Sequence, residues 1–197
     1  RISGLSAVMT IGTGFVLSAW ALWSVASSQG EIGWASHLWL SMGGLEVRIG
    51  ILMDPLTAVM LVVVMGVSLM VQIYSHGYME KREYPRYFAF MSLFTASMIG
   101  LVLASNIVQL FVFWELMVVG STAVIWASDE PGAYPASLRY LLVHLLGGML
   151  LMAGIAQHVA ATGSIAFDTS VATAPGRWLI LAGFLVNAGA PPLSAWI

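Results

Sequence analysis

Apolar residues along most of this chain neither alternate nor recur at amphipathic helical spacing; they run on for about a bilayer's thickness and stop at short polar punctuation. A hydrocarbon core of about 30 Å takes about 20 residues of helix, and such stretches lie at residues 2–26, 54–78, 87–104, 107–127, 135–160 and 177–197. The pattern predicts an all-α membrane protein with six transmembrane helices. Ser105-Asn106 alone separates the third stretch from the fourth, which makes those two antiparallel neighbours. Asp54-Pro55 opens the second stretch as an N-cap acid followed by a proline where no N–H is missed. The loop 27–53 departs from the apolar pattern. There Leu38-Trp39-Leu40-Ser41-Met42 and Leu45-Glu46-Val47-Arg48-Ile49 alternate around Gly43-Gly44, which predicts a short β-hairpin. Trp34 and Trp39 within it suit the headgroup zone.

Composition agrees: 59% of the 197 residues are hydrophobic and 8% charged, against about a quarter charged in soluble domains, and mean hydropathy is +0.91. Membrane lipid is therefore the first partner. A net charge of -2 leaves no basic face for nucleic acid. With no cysteine, thiolate metal sites, iron–sulfur ligation and disulfides are excluded within the chain. Neither a nucleotide-binding glycine loop nor a nucleophile–base or metal-ligand constellation is present, so no cofactor and no metal are expected and an enzyme acting alone is the least favoured class. The chain starts at Arg1 without an initiator Met and stops inside an apolar run, as an internal fragment would. Arg1, Lys81, Arg82, Arg86 and Arg139 fall on one side of the membrane and Arg48 and Arg177 on the other, so the N-terminal end is expected in the cytoplasm and the hairpin on the outer side.

Glu115 stands near the centre of the run 107–127. A charge at mid-membrane costs at least about 2.5 kcal/mol even on forgiving scales, and acids at that depth mark proton or ion pathways. The plain alternative is a protonated carboxyl holding two helices together, worth about 0.6 kcal/mol. Counting about 1.5 Å per residue, Asn187 lies at nearly the same depth and His144 about 6 Å nearer the cytoplasm. The three predict one polar layer. His144 suits a proton relay, having an ordinary pKa near neutrality, and suits equally a neutral hydrogen bond between helices. Asn187-Ala188-Gly189-Ala190-Pro191-Pro192 interrupts the last helix, because two prolines remove two donors. Such a break either lines a cavity, as in transporters, or only shapes packing. Gly120 and Gly147-Gly148 read as close-packing positions. His76 and His158, near helix ends, are expected within reach of headgroups.

Several segments together resemble a known family: Met53-Asp54-Pro55-Leu56-Thr57, Tyr74-Ser75-His76-Gly77-Tyr78-Met79, residues 84–90, Phe113-Trp114-Glu115-Leu116-Met117, and Asn187 through Trp196. They are similar, in order, to the antiporter-like subunits shared by Mrp-type cation/proton antiporters, respiratory complex I and membrane-bound hydrogenases. Residues 139–148 and Thr162-Gly163-Ser164 look most like the D-type branch of the Mrp antiporters. The resemblance implies a bundle of about fourteen helices with two inverted five-helix repeats, of which this chain holds the second to seventh helices. It implies a subunit of a hetero-oligomeric membrane complex that moves protons, and sodium or potassium in the antiporters, along buried ionisable groups. Glu115 falls on the family's essential glutamate. Asn187 falls where many members have lysine, and Ser194 where many have histidine, which puts the usual Glu–Lys pair in doubt here. A subunit of complex I or a hydrogenase, and a scaffold that no longer conducts, are the competing expectations.

Overall fold

A computed structural model describes residues 2–28, 32–42, 45–79, 84–128, 130–167 and 173–190. Helix α1 (Ile2–Ser28) leads into a hairpin of β1 (Ile32–Met42) and β2 (Leu45–Met53). Then follow α2 (Pro55–Tyr78), α3 (Tyr84–Val102), α4 (Ile107–Trp126), α5 (Ala133–Thr162) and α6 (Arg177–Asn187). Five of these, α1 to α5, are long and apolar enough to cross a membrane. Each helix packs on the next in chain order, and α1 also reaches α3.

The bundle inverts the soluble arrangement. Large apolar side chains such as Trp20, Trp23, Val63, Met70, Leu142 and Met149 face outward, whereas Gln72, Ser75, Thr95, Ser97, His144 and His158 are buried. Hydroxyl groups tie neighbouring helices: Ser75 to Tyr87 at 2.8 Å joins α2 to α3, and Ser121 to Tyr140 at 2.8 Å joins α4 to α5. Such bonds suit a medium in which apolar contact alone does not drive helices together. Asp54 caps α2, its Oδ1 accepting from Thr57 N at 2.6 Å, with Pro55 at the first helical position.

The hairpin is antiparallel, with register shifts at Ala35/His37 and Leu38/Leu40. Its Gly43-Gly44 turn and the side chain of Trp34 lie outside the described residues. β2 is fastened to the start of α4 by side chains that the hydropathy pattern does not single out. Gln109 Oε1 accepts from Gly50 N at 3.1 Å and its Nε2 donates to Gly50 O at 3.0 Å, so one amide serves both backbone groups as a neighbouring strand would. Asn106 caps α4 through Gln109 N at 2.9 Å and donates to Arg48 O at 2.7 Å.

Two expectations change. His158 is fully buried instead of reaching headgroups, because the chain after α5 folds back on the start of α4, where Ile107 N donates to Ile165 O at 3.0 Å. The last helix, expected over 177–197 with an interruption at 187–192, ends at Asn187 among the described residues, where that interruption begins. Gly189 N donates to Val186 O at 3.1 Å and Ala190 N to Leu185 O at 3.0 Å, with Gly189 at φ 65°. These two bonds and one left-handed residue form a Schellman cap, which ends a helix while satisfying its last carbonyls. Eleven residues of α6 span only about half the hydrocarbon thickness. Pro191, Pro192 and Ser194 lie outside the described residues.

Candidate functional site

The buried face of α5 carries His144, Gly147, Gly148 and Leu151, one turn apart in steps of three and four. Around it gather the polar groups of the neighbouring helices. Glu115, half-buried on α4, rests its carboxylate on the backbone of Gly148, where an added Cβ would overlap Oε1 and stand 2.9 Å from Cδ. It borders a cleft of about 430 Å³ between α4 and α5, lined otherwise by apolar groups including Phe111, Leu145, Met149 and Met152. Asn187, the last residue of α6, rests on Gly147, where an added Cβ would stand 2.8 Å from Nδ2. Its Nδ2 donates to Gly183 O of its own helix at 3.1 Å.

Buried polar side-chain atoms normally have partners, yet among the described residues Gln72, Trp114, Glu115, His158 and Asn187 each keep at least one buried atom with none. Three of the five converge here. Glu115 Oε1 and Asn187 Oδ1 are acceptors without a donor, and Trp114 Nε1 is a donor without an acceptor. The Trp114 indole packs against the Leu151 cluster and meets Phe184 of α6 edge-on at 5.0 Å.

His144 is held differently. Its Nδ1 lies 2.9 Å from Tyr140 O, and because a carbonyl only accepts, Nδ1 carries the proton of that bond. The ring stacks on Tyr140 at 3.8 Å, and the Tyr140 hydroxyl meets Ser121 on α4. Glu115 and Asn187 thus meet adjacent residues of α5, with His144 one turn away. Gly189 ends α6 two residues past Asn187. Among the described residues no group of three or more His, Cys, Asp or Glu is placed to hold a metal. Sequence reasoning missed Trp114 as an unmatched donor and the glycine pair as the seat of both polar groups. The spacing of His144, Gly147, Gly148 and Leu151 on one face was the signal available.

A half-buried carboxylate at the middle of α4 and the amide at the capped end of α6 thus rest on adjacent glycines of α5. Residues 104–197 match the family model described as NADH:quinone oxidoreductase/Mrp antiporter, TM, and residues 39–88 that of NADH-Ubiquinone oxidoreductase (complex I), chain 5 N-terminus. The chain belongs to the antiporter-like membrane subunit family shared by Mrp antiporters and complex I. It is 39% identical over 160 residues to NADH-quinone oxidoreductase subunit L of Neisseria meningitidis serogroup B, covering 79% of this chain and 24% of that protein. To the chloroplastic NAD(P)H-quinone oxidoreductase subunit 5 of Nephroselmis olivacea it is 37% identical over 183 residues, covering 91% and 28%. The chain thus spans about a quarter of the length of these relatives. Its fold matches a chain of the Mrp complex from a Dietzia species with a TM-score of 0.82 at 23% identity, over 100% of this chain and 38% of that one. Against respiratory complex I from Thermus thermophilus with bound NADH the TM-score is 0.76 at 18% identity, over 98% and 41%. It is a multi-pass membrane protein.

Proposed function

We propose that this chain is part of a proton-translocating antiporter-like subunit in which Glu115 is the proton-carrying acid. The observation that carries the reading is the Glu115 carboxylate, set at mid-span against Gly148 with Oε1 buried and unmatched by any described residue. An acid so placed can accept a proton from water that reaches it and release it on the other side of the layer. Asn187 and the capped end of α6 flank that route. His144 supplies a titratable ring one turn of α5 away. The subunit works beside other integral-membrane subunits, in the plasma membrane, with the start of α1 in the cytoplasm.

Between the branches of the family, the subunit L and subunit 5 names of the relatives and the chain 5 description over 39–88 favour the complex I side over the likeness of residues 139–148 to the D-type Mrp branch. On that side the protein would share in a translocase reaction driven by electron transfer elsewhere. On the Mrp side protons would exchange for sodium or potassium. A second reading rests on Asn187, an amide that cannot take a charge where many relatives have lysine: a scaffold that no longer conducts.

Everted vesicles carrying the full-length protein with Glu115→Gln separate the two. Proton uptake should fall to background at unchanged protein level. Uptake equal to the parent protein would overturn the conducting reading and leave the scaffold.

A further inference from the structure

The glycines of the α5–α6 seam divide by what a methyl group would meet. At Gly154 an added Cβ would stand 2.7 Å from Ile180 N and 2.9 Å from Gly176 O, and at Gly183 it would stand 2.8 Å from Gly147 O. Those neighbours are backbone and cannot step aside, so these glycines let the two helices touch. Gly148 differs. The atoms facing it all belong to one side chain: Glu115 Oε1, overlapping the added carbon, Cδ at 2.9 Å and Oε2 at 3.2 Å. At Gly147 they are Asn187 Nδ2 at 2.8 Å and the Val186 side chain from 3.1 Å.

We propose that Gly148 is a positioning residue whose missing side chain seats the Glu115 carboxylate on α5, next to Gly147, which meets Asn187 and Val186 of α6. The proposal rests on the reading of Glu115 as the proton-carrying acid and adds what holds that acid in place. Its physical basis is the nature of the obstacle. The far end of a flexible side chain can swing away, so alanine at 148 leaves α4 and α5 packed and displaces only the carboxylate. Proton transfer works at heavy-atom separations of about 2.6–3.2 Å. Moving one partner by about 1 Å is enough to cost about a hundredfold.

The test uses the full-length protein in its native membrane. Gly148→Ala should assemble to parental levels, lower proton uptake by about tenfold to a hundredfold, and change the infrared carboxyl band of residue 115, isolated as the difference from Glu115→Gln. Lowered uptake with an unchanged band, or unchanged uptake, overturns the proposal. If the single variant fails to assemble, Glu115→Asp combined with Gly148→Ala must restore assembly, because the shorter acid withdraws from the added methyl; failure of the pair also overturns it. Gly154→Ala is the packing control, expected to lose assembly in both backgrounds. Full uptake by Glu115→Gln would remove the functional reading alone, since the band still reports whether residue 148 seats the carboxylate.

Discussion

At the start of α4, Gln109 spends its amide completely, both atoms bonded to Gly50 across 59 residues of sequence. Less than two turns further along the same helix, Glu115 keeps a buried oxygen that no described residue meets. Both are polar groups set against apolar surroundings, and their partners divide them. A side chain whose task is to hold two elements together has its bonds made in the resting fold. On the proposed reading of Glu115, a side chain that exchanges a proton keeps capacity open, and the fold leaves that bond unmade. Asn106 resembles Gln109, bonded at both ends, whereas Trp114 Nε1 and Asn187 Oδ1, like Glu115 Oε1, have no partner among the described residues.

Exchanging the two roles by mutation breaks the comparison most directly. Gln109→Leu strands the buried N–H and C=O of Gly50, and a buried group left unpaired costs about 1–3 kcal/mol. Thermal unfolding of the detergent-solubilised full-length protein should show a loss of that order or somewhat more, while proton uptake per folded molecule stays near parental. Glu115→Gln should do the reverse, keeping the unfolding midpoint and losing uptake. If Gln109→Leu abolished uptake without lowering the midpoint, bonded and unbonded polar groups would not separate structure from transport here.

Asp54 sharpens the same line at smaller scale. It too is an acid close to a membrane span, yet its Oδ1 is occupied by Thr57 N. Asp54→Ala should lower stability by about 1 kcal/mol, the usual effect of removing an N-cap, and leave uptake unchanged. Asp54→Asn should recover most of the loss because asparagine caps as well as aspartate. Uptake lost in Asp54→Asn would instead assign the carboxylate to the ion route.

How far the sequence disclosed this follows from the range of each interaction. Lipid demands long apolar runs, and strands demand alternation, so α1 to α5 and the hairpin are legible from local pattern. Glu115 is legible as well, because a lone acid in such a run has few reasons to be there. The Gln109–Gly50 clamp is not: it joins residues far apart in sequence, and Gln109 near a helix start reads as ordinary surface. Nor is the convergence of Trp114, Glu115 and Asn187 on α5, since a single sequence of nearly uniform hydropathy does not say which faces of adjacent helices meet. The same blindness let His158 be read as reaching the headgroups.

The exposed pair Arg48–Glu46 on β2, 2.8 Å apart with both side chains about half in solvent, marks the lower limit of the comparison. It is a fully formed bond, as Gln109's are, but water can replace it. Exposed ion pairs contribute about 0–1 kcal/mol and weaken with salt. Glu46→Gln should therefore move the unfolding midpoint barely at all, and less still at high ionic strength, although Arg48 O is one of the groups that Asn106 holds. A large loss from Glu46→Gln would mean that the side-chain pair fixes the course of β2, and that the hairpin's grip on α4 begins at Arg48 and not at Gln109.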